Sequence, residues 1–107
     1  MSVSDDDIAH ALELFEGLGD LTTRKMMGGL CIYHAGTIFA IIHPDGGILI
    51  KGAGPFKAEL EGMGLAPWEY LRTDGRPTNM PYWHLPDSAM DDPEEATALA
   101  RRALEHL

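Results

Sequence analysis

Cysteine is almost missing from this chain. Cys31 is the single one, and a lone thiol cannot close an internal disulfide. Nothing in the cysteine usage therefore points to an oxidising compartment. Long apolar runs are missing as well. None approaches the ~20 residues needed to span a bilayer. The opening Met1-Ser2-Val3-Ser4-Asp5-Asp6-Asp7 lacks the basic and apolar regions of a signal peptide. These absences predict a cytoplasmic protein with no membrane contact. Basic charge is scarce too: 8 Lys and Arg stand against 17 Asp and Glu, a net of −9. Nucleic-acid affinity comes largely from cations that displace phosphate counterions, and this composition starts from repulsion. The only adjacent basic pairs are Arg24-Lys25 and Arg101-Arg102, too short for a nucleic-acid patch. Direct nucleic-acid binding is not expected.

What is present suits one globular domain, 1–107. The 107 residues are 45% hydrophobic, enough for one core without metal or disulfide support. Ser4 is a good N-cap, and Asp5, Asp6 and Asp7 follow it in a first helical turn, where negative charge favours the helix dipole. Ile8, Ala11, Leu12 and Phe15 then share one helical face, and Gly17 and Gly19 end the segment.

Leu30–His34 and Thr37–Ile42 are rich in β-branched and aromatic residues, with Ala35-Gly36 between them. They predict a hairpin with a two-residue loop. With His34 opposite Thr37, regular alternation puts Leu30, Ile32, Phe39 and Ile41 on one face. Cys31, Tyr33, Ile38, Ala40 and Ile42 fall on the other. Both faces are apolar, which predicts a cover for the second one, from the chain itself or from a second copy.

His43-Pro44-Asp45-Gly46-Gly47 signals a turn, and Ile48–Lys51 a third strand. Pro55 opens a helix whose buried face is expected to carry Phe56, Leu60 and Met63, with Gly64 closing it. Trp68–Thr73 reads as a fourth strand and Asn79–Leu85 as a fifth, with Asp74-Gly75 turning between them. Pro81 inside the fifth argues for an edge strand or a bulge. Asp92 caps a last helix that begins at Pro93 and carries Ala96, Leu99, Ala100, Ala103 and Leu104 on its apolar stripe. The order is α-β-β-β-α-β-β-α: an α+β, two-layer domain with an antiparallel sheet of about five strands and helices packed on it.

Each segment that could carry chemistry also has a packing explanation. Gly52-Ala53-Gly54-Pro55-Phe56-Lys57 joins a strand to a helix, yet lacks the third glycine of a dinucleotide fingerprint; a tight turn accounts for it. Cys31, His10, His34, His43, His84 and His106 show no paired zinc spacing. Cys31 lies inside an apolar strand, the setting of a packed rather than a nucleophilic thiol. No catalytic residue, cofactor or metal site is expected. Contact candidates remain. Met26 and Met27 precede two glycines and could form an adaptable surface or fill core. Arg76, Tyr82 and Trp83 supply the residue types that anchor interfaces. Adjacent Tyr82 and Trp83 must point to opposite faces of a strand. Tyr33 lies on the second apolar face.

The motifs together resemble a known family. Arg24-Lys25-Met26-Met27-Gly28-Gly29, followed by Cys31-Ile32-Tyr33 and an apolar hairpin, is similar to the start of the TfoX N-terminal domain. Met80-Pro81-Tyr82-Trp83-His84-Leu85-Pro86 resembles that family's Met-x-Tyr-Trp-x-x-Pro segment, and the helix from Pro93 through Leu104 also fits. Met27 stands where phenylalanine is common in the family. The resemblance implies a two-layer α+β fold of a kind that often dimerises, with no catalytic residues to carry over. It also implies a part in regulating bacterial competence and transcription. Full-length members pair this domain with a C-terminal one suited to nucleic-acid contact. Sequence and resemblance together predict a non-enzymatic regulatory module with a protein partner, the transcription machinery or a second copy. The alternatives are a DNA-contacting co-regulator and a small-ligand-binding domain.

Overall fold

A computed structural model describes residues 3–26, 29–43, 47–71 and 77–107. Helix α1 (Asp5–Leu14) starts at a reciprocal cap: the Asp7 backbone N–H donates to Ser4 Oγ at 3.1 Å, and the Ser4 N–H donates to the Asp7 carboxylate at 3.5 Å. Two orphan donors of the first turn are thus satisfied. A 3-10 turn at Glu16–Leu18 leads into strand β1 (Leu21–Met26), a sixth strand beyond the five expected. Strands β2 (Gly29–His34), β3 (Thr37–Ile42) and β4 (Ile48–Lys51) follow, then α2 (Pro55–Gly62). Strands β5 (Pro67–Leu71) and β6 (Pro77–His84) precede the short α3 (Asp87–Met90), absent from the sequence expectation, and α4 (Pro93–Leu104). The expected Asp74-Gly75 turn lies outside the described residues.

All pairings are antiparallel, and the strand order is β1-β2-β3-β4-β6-β5. Strand β6 is therefore interior, and Pro81 is not on an edge. Pairing with β5 jumps from Pro67↔Trp83 to Glu69↔Asn79 beside it, while the Gly52 N–H donates to Pro81 O at 3.0 Å, so the proline nitrogen faces Gly52, just past the end of β4. There its missing N–H costs little.

The helices cover one face of the sheet. Phe15 of the α1 terminus, Phe56 and Leu60 of α2, and Ala96, Leu99, Ala100 and Ala103 of α4 are buried against Leu30, Ile32, Phe39, Ile42, Ile48, Ile50 and Trp83. Phe15 meets Phe39 edge to face, with ring centroids 5.2 Å apart. Met63, expected on the buried face of α2, is instead 43% exposed, because the helix ends at Gly62 and Met63 is its cap.

The β2–β3 hairpin corrects the expected alternation. His34 does pair with Thr37 and Tyr33 with Ile38, but Ile32 pairs with Ala40. Phe39 is an extra, bulged residue. Beyond it the faces exchange: Ala40 and Ile42 turn to the helices, and Ile41 turns away from them. A one-residue bulge has this effect because strand side chains alternate with period two.

Candidate functional site

The face of the sheet turned away from the helices carries its own apolar cluster. Leu49, Cys31, Ile41 and Tyr82 form a buried floor, bordered by half-buried Tyr33, Ile38 and Trp68. No helical residue belongs to this cluster among the described residues. Trp68 meets Tyr82 and His43 edge to face, at 6.3 and 5.7 Å between centroids. At the β1 side, Arg24 pairs with Cys31 and Thr22 with Tyr33, so their side chains share this face. Lys51 pairs with Tyr82 and joins them.

The electrostatics of the floor are those of packing rather than reactivity. Burial pushes the Cys31 thiol above its ordinary pKa; a hydrogen bond with Tyr33 and the Arg24 charge pull it back in part. Its S–H donates to Met26 Sδ at 3.9 Å. Burial likewise raises the Tyr82 phenol, reinforced by the neighbouring Cys31 and Tyr33. A thiol held protonated is a poor nucleophile.

The structure separates the contact candidates. Met26 is 48% exposed at the end of β1 rather than filling core, while Tyr33 stands at the rim. Tyr82 and Trp83 diverge as adjacent strand residues must: Tyr82 enters the floor and Trp83 enters the helix-side core, both buried. Met27 and Arg76 lie outside the described residues. Sequence reading missed Trp68 and Ile41 as members of this face. The first sits on an irregular strand, and the second is displaced by the Phe39 bulge.

The glycine-rich turn has a packing role. A Cβ at Gly52 would come within 2.6 Å of Trp83 Cζ3 and 2.9 Å of Leu60 Cδ1, so only glycine lets the Trp83 ring lie against the backbone. Among the described residues no three His, Cys, Asp or Glu side chains converge as a metal site. No described helix is long and apolar enough to cross a membrane.

The profile of the TfoX N-terminal domain matches residues 13–107. The chain belongs to the TfoX N-terminal domain family. In this TfoX N-terminal domain the matched span takes in the whole sheet, the second-face cluster and helices α2, α3 and α4, together with the last two residues of α1. No curated protein matches the chain.

Proposed function

We propose that this TfoX N-terminal domain is a non-enzymatic regulatory module that holds a protein of the transcription apparatus on the helix-free face of its sheet. The observation that supports this most is a second apolar cluster with a half-buried aromatic rim, on a face that no helix covers among the described residues. Interfaces of this kind draw on aromatic anchors over an apolar centre with a polar rim. Tyr33 and Trp68 supply the first, Ile38 adds to the second, and Arg24 and Lys51 supply the last. Family membership supports a part in bacterial regulation, with competence as the family's best-marked process. A net charge of −9 favours contact with protein over contact with DNA.

The test is affinity capture from bacterial lysate with mass spectrometry, with and without nuclease. A matched Ile38→Asp/Tyr33→Asp variant serves as control. The expected result is a transcription factor or polymerase subunit that survives nuclease and is lost with the variant. Recovery of the bait alone, as a monomer, would overturn the reading. Recovery of a second copy of the chain would redirect it to a homodimer.

A further inference from the structure

We propose that strand β1 is an acceptor edge for an acidic, extended segment of a protein partner, which would add to the sheet as a seventh strand. The proposal rests on the reading that this domain works through protein contacts, but it uses the backbone edge of the sheet rather than the face, with Arg24 at the border of both. β1 ends the sheet, and its residues from Thr22 to Met26 are all exposed. Ala35 N–H donates to Asp20 O at 3.1 Å, which fixes the phase of the ladder. Residues 20, 22, 24 and 26 turn their backbone groups inward to β2. Leu21, Thr23 and Lys25 must then turn theirs outward. Three residues in register thus present N–H and C=O groups to the free edge, the arrangement by which a strand is added.

The charge on this edge selects the occupant. Arg24 and Lys25 are two of only eight cations in the chain, and neither makes an ion pair among the described residues. Their side chains fall on opposite faces of β1, so an added strand is flanked by a cation on each side. Cations on an open edge repel indiscriminate pairing. They also repel a second copy's β1, whose own Arg24 and Lys25 would lie one strand spacing away, ~4.8 Å. A segment of carboxylates alternating with β-formers meets neither obstacle. Repulsion from the net negative chain is screened beyond ~8 Å at physiological salt, so the contacting charges dominate.

The experiment pans a phage-displayed random dodecapeptide library against the full chain. The enriched sequence is then measured as a labelled synthetic peptide. The expected winners are acidic and rich in β-formers. Their binding should weaken about ten-fold or more with Arg24→Glu/Lys25→Glu, and equally with Thr23→Pro, which removes an outward N–H only. Amide exchange should slow on binding at Leu21, Thr23 and Lys25, with both variants first checked for a native melt. No enrichment, basic winners, binding indifferent to the charge variant, or edge protection by self-association without peptide would each overturn the proposal. The Ile38→Asp/Tyr33→Asp variant separates it from the face reading. Peptide binding that survives a loss of lysate capture leaves both standing. Peptide binding that survives alongside unchanged capture removes the face reading alone.

Discussion

Two backbone positions show how single residues set this structure. Ala35 holds φ of 49° and Gly36 holds 84°, the paired left-handed geometry of a tight hairpin. Gly36 suits it; Ala35 does not, since an L-residue with a Cβ is strained there by about 1–2 kcal/mol. Ala35→Asn should therefore stabilise the protein by about 0.5–1 kcal/mol, read from the urea midpoint, because asparagine tolerates this region. Gly52 is the opposite case. Gly52→Ala forces a methyl group into the Trp83 ring and should cost about 1–3 kcal/mol in the same assay. The turn at Ala35-Gly36 was legible as a hairpin loop from the flanking strands. The reason for Gly52 was not, because it lies in a tryptophan 31 residues away in sequence.

At the scale of elements, the three longer helices were legible because their starts are written locally, whereas the four-residue α3 was not. Ser4, Pro55, Asp92 and Pro93 occupy the cap and first-turn positions that their types favour. Strand β1 was not legible. Leu21-Thr22-Thr23-Arg24-Lys25-Met26 is exposed along nearly all its length, so it carries no burial alternation to read, and its pairing with β2 alone makes it a strand. The Phe39 bulge was hidden for a related reason: regular alternation is the only register a sequence displays. Contacts between helices were equally hidden. Thr97 Oγ1 donates to Leu14 O at 2.8 Å in a buried site, which satisfies one carbonyl at the end of α1. Thr97→Val keeps the shape and removes the donor. It should destabilise the protein by about 1–3 kcal/mol, and circular dichroism during thermal unfolding would measure it. The Arg102–Glu59 ion pair between α4 and α2 is far more exposed. Arg102→Ala should matter little through that pair.

For the whole molecule, the sheet divides the protein into a helix-covered side and a side with its own smaller cluster. The apolar character of both faces was readable, and so was the placing of Leu30, Ile32 and Phe39 on one and Cys31, Tyr33 and Ile38 on the other; the exchange of Ala40, Ile41 and Ile42 past the bulge was not. Cys31 and Tyr82 on the second side keep their protons to higher pH folded than unfolded. As pH rises past the unfolded thiol's pKa, about 8.5, the folded state holds more protons than the unfolded one. Stability therefore falls with rising pH. It is full below that range and declines until the folded groups also ionise. Melting temperatures measured from neutral to alkaline pH should show the decline, and Cys31→Ser/Tyr82→Phe should flatten it. Alkylation of Cys31 at neutral pH should be slow until denaturant is added.

The placement of α4 also governs the order in which the protein can be made. This helix packs on β3, β4 and α1, elements that leave the ribosome long before Pro93 does. Until then Phe39, Ile42 and Ile50 lack the α4 part of the layer that dries them. A released fragment ending at Asp92 should bind a hydrophobic dye strongly and draw chaperones, and one that includes α4 should do neither. Drying of the helix side of the sheet in that sense waits on α4.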